Sequence, residues 1–541
     1  MTIFLNLFIL IPLLGFIVSL AIPEKNEDSL SATTFITVGI QLFYSIAFTA
    51  WWLLNAHHEI NIKDFFIYKS QEYEFFLDFT FDKIVAVYLF VGAVLTFLVA
   101  IYSRYYLHRE KGYKRFFNTV LFFYLGYNIT IFSGNFETLF LGWEILGISS
   151  FLLIAFYRER YLPVRNAYKV FSIYRIGDVG LILAMWMSHH LWHENITFEK
   201  LNNASLVNQY LLQHSIFGTF ISLMILISAV AKSAQLPFSS WLPRAMEGPT
   251  PSSAIFYGSL SVHIGVFLLL RTYPFWEYQT SVRVLIGLIG LTTAFVATGI
   301  ARVQSSVKSQ IAYASIAQIG LIFIEVALGF SNLALFHFAG NAFLRTYQLL
   351  VSPSIVSYLI REQFYNYTPQ LKSIERFYPT KIRNALYILC LKEWNLDSYQ
   401  NKFLWNPIKA LAKKLTFFSF KNTLLILVPV YLVGIIFAFN RSILPTIILH
   451  ALPIVFSLAG LMMVLKSYTE KKDVWMSWIF IIANHFWIAL ALAFNEKFSY
   501  YELLLYLSGI FICGALGIFL LGKLKKQFVT VDLNQFHGNA F

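Results

Sequence analysis

The feature that most constrains this chain is the recurrence of apolar runs long enough to cross a bilayer. A spanning helix needs roughly 20 mostly apolar residues, and about fifteen segments meet that requirement. The expected spans are 3–22, 33–54, 83–103, 116–133, 136–156, 166–188, 215–237, 251–271, 281–301, 308–328, 331–360, 422–440, 443–465, 474–494 and 499–521. Only 13% of the residues are charged and 58% are hydrophobic, whereas soluble domains carry about 25% charged residues. Lipid accepts the apolar surface that water would penalise. The expected fold class is therefore an all-α polytopic membrane protein. Its first apolar segment has no basic leader region and no small-residue cleavage site, so it is read as a spanning helix and not a removable signal.

The charge pattern orients the spans. The formal charge is +13, but the basic residues flank apolar segments, which points to topology and not to a nucleic-acid partner. Arg104, Arg109, Lys111, Lys114 and Arg115 fill loop 104–115, and Arg158, Arg160 and Arg165 fill loop 157–165. Arg302, Lys308, the basic stretch 361–421, Lys466, Lys471, Lys472 and the tail Lys523, Lys525, Lys526 fall on the same side. Loops 55–82, 189–214 and 272–280 are poor in Lys and Arg. About fifteen helices with the N-terminus outside and the C-terminus cytoplasmic satisfy the rule throughout. Four regions follow: N-terminal transmembrane helices in 1–115, a core in 116–360, a basic cytoplasmic or interfacial connector in 361–421, and C-terminal helices with a short tail in 422–541. Cys390 and Cys513 are too few and too far apart for a metal site or disulfide framework. No phosphate loop, metal-ligand cluster or nucleophile motif stands out, so no cofactor or metal is expected.

An ionisable residue inside a spanning helix costs at least a few kcal/mol, so it pairs or lines a wet cavity. This chain has a series of them. Glu144 lies in NFETLFLGWEILGISSFLLIAFY. Arg175 and Asp178 lie in FSIYRIGDVGLILAM, one turn apart, and can partly neutralise each other; a purely structural pair reads equally well. Lys232 lies in LISAVAKSAQLPFSSWLP, ahead of Pro237, which removes a backbone donor and breaks the helix. A broken helix at membrane depth is tolerated only beside protein or water, and a lysine there is suited to proton exchange. His263, Lys308 and Glu325 follow. His337, Asn341 and Arg345 share one helix face at i, i+4 and i+8. A lone His263 or His337 also reads as a core histidine, Lys308 as a residue snorkelling at a helix end, and Glu325 as a near-surface residue with no evident partner. Glu144 and Lys232 resist such readings, being of opposite sign and deep in their spans.

These segments resemble the antiporter-like membrane subunits of respiratory NADH:quinone oxidoreductase (the chain 5 type) and of Mrp cation/proton antiporters (the type of their largest subunit). LGWEILGISSFLLIAFY looks like the glutamate helix of that superfamily, and KVFSIYRIGDVGLI like its Arg–Asp helix. AKSAQLPFSSWLPRAMEGPTPSSAI is similar to its broken-helix lysine signature, VKSQIAYASIAQIGLIF to the next lysine helix, and LFHFAGNAFLRTYQLL to the second broken helix. The resemblance covers about residues 75–355, with five motifs in order. It implies that Glu144 and Lys232 form a coupling pair and that Asp178, Lys308 and His337 continue a proton path, with Arg175, His263, Glu325, Asn341 and Arg345 as secondary members. The chain departs from the pattern at Tyr257 and Asn341, where the family usually has His, and at Arg345, where it has Lys. Arg keeps its proton, so Arg345 can hold a charge but cannot relay by deprotonation.

A further lysine-bearing helix and a long lateral helix of the respiratory subunits are also missing from the pattern. LRTYQLLVSPSIV and NHFWIALALAFNEKFSYYELLLYLSGI resemble the membrane subunit (DabB) of the two-component Dab inorganic-carbon pump. That likeness implies a component of a transporter, not an enzyme, in a bacterial inner membrane, passing cations, expected to be protons. The implied partner is a large soluble zinc-binding β-carbonic-anhydrase-like subunit (DabA) on the cytoplasmic face, which hydrates CO2 to bicarbonate. Loop 104–115 and stretch 361–421 are the expected docking surfaces. The competing expectation is a subunit of a respiratory NADH:quinone oxidoreductase or of a Mrp-type Na+/H+ antiporter.

Overall fold

The computed structural model describes residues 2–55, 59–69, 74–365, 379–415, 420–441, 444–470, 473–494 and 500–527, and the structural statements below concern these. Parts of the basic connector (366–378 and 416–419), and Lys471 and Lys472, lie outside the described residues. The chain divides into two compact units, 1–396 and 397–541.

In the first unit, α1 (Thr2–Ala21) and α2 (Glu27–Leu54) are apolar helices that lead into an antiparallel hairpin, β1 (Ile60–Lys69) and β2 (Glu74–Phe81). The hairpin was not anticipated in loop 55–82. Its cause is visible in FFLDFTF, a run of aromatic and β-branched residues that favours a pleated, half-buried strand. Next come α3 (Lys83–Tyr106), α4 (Tyr113–Phe132), α5 (Phe136–Ile154) and α6 (Tyr161–Trp192). Asp82 caps α3 by accepting from Val85 N at 2.9 Å, and Asn135 caps α5 by accepting from Thr138 N at 2.8 Å. Residues on nearly every side of α4 are buried, so it is the central post of this unit. It approaches α5 closely because both helices are bare at the crossing: a Cβ on Gly142 would stand 2.8 Å from the Gly126 carbonyl oxygen. Ring contacts lock neighbouring helices together, among them Phe8 on Phe132 at 4.8 Å and Phe123 on Phe256 at 3.7 Å.

Short helices α7 (Phe198–Leu201) and α8 (Ala204–Gln213) precede α9 (Ser215–Lys232). Helix α9 stops at Lys232, as the lysine-before-proline pattern predicts, and Ala234 turns the chain through a left-handed conformation (φ 51°). The chain resumes as α10 (Trp241–Arg244), then as α11 (Thr250–Ser252), a π-helical stretch Ser253–Ser259, a 3₁₀ turn Ser261–His263 and α12 (Ile264–Arg271). All of Thr250–Arg271 is buried. Irregular backbone at this depth is thus enclosed by protein, as lipid requires. Then follow α13 (Tyr273–Trp276), α14 (Thr280–Val303), α15 (Val307–Ala327), α16 (Ser331–Tyr365) and α17 (Thr380–Leu391). The second expected break does not occur near His337: α16 runs unbroken with Pro353 inside it, and the interrupted element is the π and 3₁₀ stretch before α12.

In the second unit, α18 (Leu396–Gln400) begins at the boundary and α19 (Asn406–Lys414), α20 (Phe420–Phe439), α21 (Thr446–Thr469), α22 (Val474–Ala493) and α23 (Tyr500–Gln527) follow. Phe456, Met463, Phe480, Trp487 and Leu490 form its core. Most other large side chains of α20, α21 and α23 face outward, as lipid-facing helices do.

The protein is an all-α polytopic membrane protein. Twelve helical segments among the described residues are long and apolar enough to cross a membrane. The remaining three expected spans, 116–133, 331–360 and 422–440, coincide with helices α4, α16 and α20. Polar side chains lower the apolar character of two of these, Asn118, Tyr124, Tyr127 and Asn128 in α4 and His337, Asn341 and Arg345 in α16.

Candidate functional site

Helices α5, α6 and α9 converge on one charged cluster. Arg175, on α6, places its Nη2 2.7 Å from Glu144 Oε2 on α5 and its Nε 2.7 Å from Asp178 Oδ2 one turn along its own helix. The other carboxyl oxygen of Asp178, Oδ1, accepts from Trp143 Nε1 at 2.7 Å. Lys232, 1% exposed at the end of α9, donates to the Trp143 carbonyl at 3.3 Å. Its amine stands 4.6 Å from the Trp143 ring centre and 4.4 Å from that of Tyr174. Among the described residues no carboxylate lies within 4.0 Å of that amine. Glu144 and Lys232, the expected coupling pair, are therefore not in ionic contact; Arg175 stands beside both carboxylates, as a guanidinium with several donors can. Ser228 donates to the Gly177 carbonyl at 2.7 Å and ties α9 to α6. Trp241 Nε1 donates to the Ala231 carbonyl at 2.9 Å and satisfies an acceptor that the broken helix leaves free.

A second cluster joins the 3₁₀ turn Ser261–His263 to α15 and α16. Asn341 Nδ2 donates to His263 Nε2 at 3.0 Å, and the opposite ring nitrogen of His263 faces the Ser259 carbonyl. These two bonds define the neutral tautomer with the proton on Nδ1. Arg345 donates to Asn341 Oδ1 (3.1 Å), to Gln348 Oε1 (2.7 Å) and to the Ala314 carbonyl (3.2 Å). His337 lies on the same helix but turns elsewhere, 2.7 Å from Glu325 Oε1 and 2.9 Å from Gln318 Oε1. Glu325 thus has a partner, contrary to the expectation of none. The pairing crosses from α15 to α16, which spacing along one helix does not reveal. Lys308 is at the start of α15 and donates to the Gly248 carbonyl at 3.4 Å, apart from both clusters. Tyr257, where the resembling family has His, donates to the Ser150 carbonyl at 2.8 Å inside the core.

Sequence reasoning missed Trp143, Gln318 and Gln348, and also the bidentate Arg271–Asp82 pair at 2.7 and 3.2 Å that joins α12 to the cap of α3. Their signals were weak: a Trp beside Glu144, glutamines within apolar helices, and an aspartate closing an aromatic strand. No group of three or more His, Cys, Asp or Glu side chains among the described residues is placed to hold a metal ion.

The interrupted helix, the buried lysine and the bridged carboxylates thus lie together within one membrane unit. Residues 133–385 match the family described as NADH:quinone oxidoreductase/Mrp antiporter, TM, and residues 67–117 match that described as NADH-ubiquinone oxidoreductase (complex I), chain 5 N-terminus. The chain is similar to NADH-ubiquinone oxidoreductase chain 5 of Metridium senile, with 36% identity over 283 residues covering 52% of this chain and 46% of that one. It is also similar to the chloroplastic NAD(P)H-quinone oxidoreductase subunit 5 of Lobularia maritima, with 32% identity over 304 residues, covering 56% and 40%. The chain spans less than half the length of these two relatives. Among solved structures it shares its fold with a chain of the Mrp complex from Dietzia sp. DQ12-45-1b (TM-score 0.56, 19% identity, 68% of this chain and 39% of that chain). It shares it too with a chain of the membrane-bound sulfane sulfur reductase, an archaeal respiratory membrane complex (TM-score 0.54, 18% identity, 72% and 62%).

Proposed function

We propose that this chain is a proton-conducting subunit of a larger membrane assembly, with Glu144, Asp178, Lys232, Lys308 and His337 on the proton path. The observation that carries the reading is the pair of carboxylates bridged by Arg175 beside a buried lysine at a helix break. Lys232 takes up and releases the proton. Its charge acts on Glu144 and Asp178 through a low-dielectric interior, where such coupling is strong. When Lys232 is neutral, Arg175 alone balances the two carboxylates, and the change in field biases the next groups along the axis. Lys308 and the Glu325–His337 pair receive the proton in turn, with water bridging between clusters. The His263–Asn341–Arg345 chain holds a fixed positive charge beside that route.

The finer reading concerns the partner. In it, proton flow in a bacterial inner membrane drives a cytoplasmic zinc-binding, β-carbonic-anhydrase-like subunit that hydrates CO2 to bicarbonate. The sequence likeness of LRTYQLLVSPSIV and of the segment around α22 and α23 supports this. The names of the relatives favour a second reading, a proton-pumping subunit of a quinone oxidoreductase or of a Mrp-type antiporter. Two measurements separate the layers. Proton flux into vesicles carrying the assembly tests conduction, and normal flux in Lys232→Ala sinks it. Mass spectrometry and zinc analysis of what co-purifies in mild detergent test the partner: a large zinc protein supports the carbon pump, and quinone oxidoreductase or small antiporter subunits support the second reading.

A further inference from the structure

Away from the Arg175 bridge, the first unit holds a second group of buried carboxyls. Asp78 in β2 is 1% exposed, and Glu137 in the first turn of α5 is 5% exposed. Both carboxyl oxygens of Asp78 and Oε2 of Glu137 are buried without a hydrogen-bond partner. The backbone around them is firmly built. Gly134 N donates to the Asp78 carbonyl at 2.7 Å, Asp78 N donates to Thr138 Oγ1 at 3.0 Å, and Phe198 N donates to the Gly134 carbonyl at 2.7 Å. A Cβ on Gly134 would stand 2.6 Å from Asp78 Oδ2, so glycine alone leaves room for the carboxyl. Gly134 and Thr138 both touch Asp78 and bracket Glu137 in sequence, which brings the two acids to one turn of chain.

The neighbouring charges leave Asp78 without a counter-ion. Lys63 is its register partner on β1, but its amine lies 3.7 Å from Glu74 and 3.9 Å from the Phe76 ring. Glu199, on α7, is of like sign and accepts from Asn61 at 2.6 Å. Asp82, at the cap of α3, is already neutralised by Arg271. A bare buried carboxylate is costly, and protonation removes that cost. Burial, reinforced by Glu199 and opposed by Lys63, pushes the Asp78 carboxyl up to about 7.

We infer that Asp78 and Glu137 form a proton-binding carboxyl pair at the hairpin end of the first unit, the end opposite the basic loops. Proton binding there is independent of the function proposed above, whereas its use as the loading point of the path rests on that reading.

Infrared titration of the full chain in lipid discs, with aspartate carrying a ¹³C carboxyl, tests the binding. A protonated-carboxyl band that shifts with the label and fades as pH rises through about 7 is the expected result, and it should be missing in Asp78→Asn. An Asp78 carboxyl that is ionised throughout, or that never titrates near neutrality, overturns the proposal. So does loss of the band on adding Na+, but not choline, at fixed pH, which would mark a cation site. The labelled wild-type protein suffices if the variant fails to insert. Flux in the same assembly tests the use. Asp78→Asn should lose roughly a hundredfold or more of the flux, the scale on which positioned proton-transfer groups act. If Lys232→Ala is inactive and Asp78→Asn conducts with an unchanged pH profile, the loading role fails alone. If Lys232→Ala conducts normally, the conduction reading fails and the infrared result still decides proton binding.

Discussion

Arg175 holds Glu144 at 2.7 Å, and the same guanidinium lies 2.7 Å from Asp178. One cation therefore serves two carboxylates on adjacent helices, while Lys232 is held by a carbonyl and two aromatic faces. The arrangement leaves the lysine free to change its charge without dismantling a salt bridge of its own. Coupling between lysine and carboxylates is then a matter of field and not of direct contact.

Removing the bridge should be felt in stability as well as in flux. Arg175→Ala leaves two carboxylates facing each other across α5 and α6. Breaking a buried pair costs about 3–5 kcal/mol, and in the middle of a spanning helix no bulk water screens the exposed part of Arg175, so a loss of that order is expected. Thermal unfolding in detergent measures it. Adding Glu144→Gln to Arg175→Ala should restore part of the loss, and an additive double variant would contradict the bridge. Arg175→Lys should be intermediate, because a point charge cannot span both carboxylates as a fork does.

Lys232 should be irreplaceable by arginine. Lys232→Arg preserves the positive charge and the contact with the Trp143 and Tyr174 rings, but arginine does not give up its proton. Flux in this variant is expected to be as low as in Lys232→Ala, with normal insertion. Substantial flux in Lys232→Arg would show that the residue supplies only a fixed charge.

The helices, the break after Lys232 and the membership of the charged cluster were legible because each leaves a local trace: an apolar run, a downstream proline, an ionisable residue in hydrocarbon. The pairing within the cluster was not. Arg175 and Asp178 are neighbours along one helix, and their proximity could be read from spacing. That the same arginine reaches Glu144, and that Glu325 finds His337, depends on how α5, α6, α15 and α16 pack, which a single sequence does not encode locally. The hairpin is masked in sequence because alternation in loop 55–82 is confined to short runs such as LDFTF. The alternation LDFTF sets Asp78 on the polar side with Thr80, so its burial, which comes from packing on both faces of β2, left no signal in the sequence.

The Glu325–His337 contact should behave as an interacting pair. A double-variant cycle of Glu325→Gln and His337→Gln is expected to give a coupling of about 0.5–3 kcal/mol in unfolding free energy, the range for residues in direct contact. Both His337 nitrogens already face oxygen acceptors, so protonation of the ring adds a donor to a contact already in place. Zero coupling would mean that the two side chains do not meet in the folded protein.

Asp78 makes stability depend on pH in a direction opposite to that of a salt-bridged carboxylate. In the folded chain its carboxyl is pushed up to about 7 by burial, against an ordinary value of 3.8. Between those values the folded state binds the extra proton. The stabilising contribution is therefore fully present below the ordinary aspartate value and is lost as pH rises through about 7. The difference corresponds to roughly 4 kcal/mol, at 1.36 kcal/mol for each pH unit. Unfolding midpoints of the wild type should fall as pH is raised from about a unit below to about a unit above neutrality. Asp78→Asn keeps the shape of the protonated acid and carries no titrating proton, so its decline over the same interval should be much shallower. Gly134→Ala, whose added methyl collides with that carboxyl, should lower stability by about 1–3 kcal/mol at every pH, as overpacking does. Equal slopes for the wild type and Asp78→Asn would show that some other group governs the pH dependence.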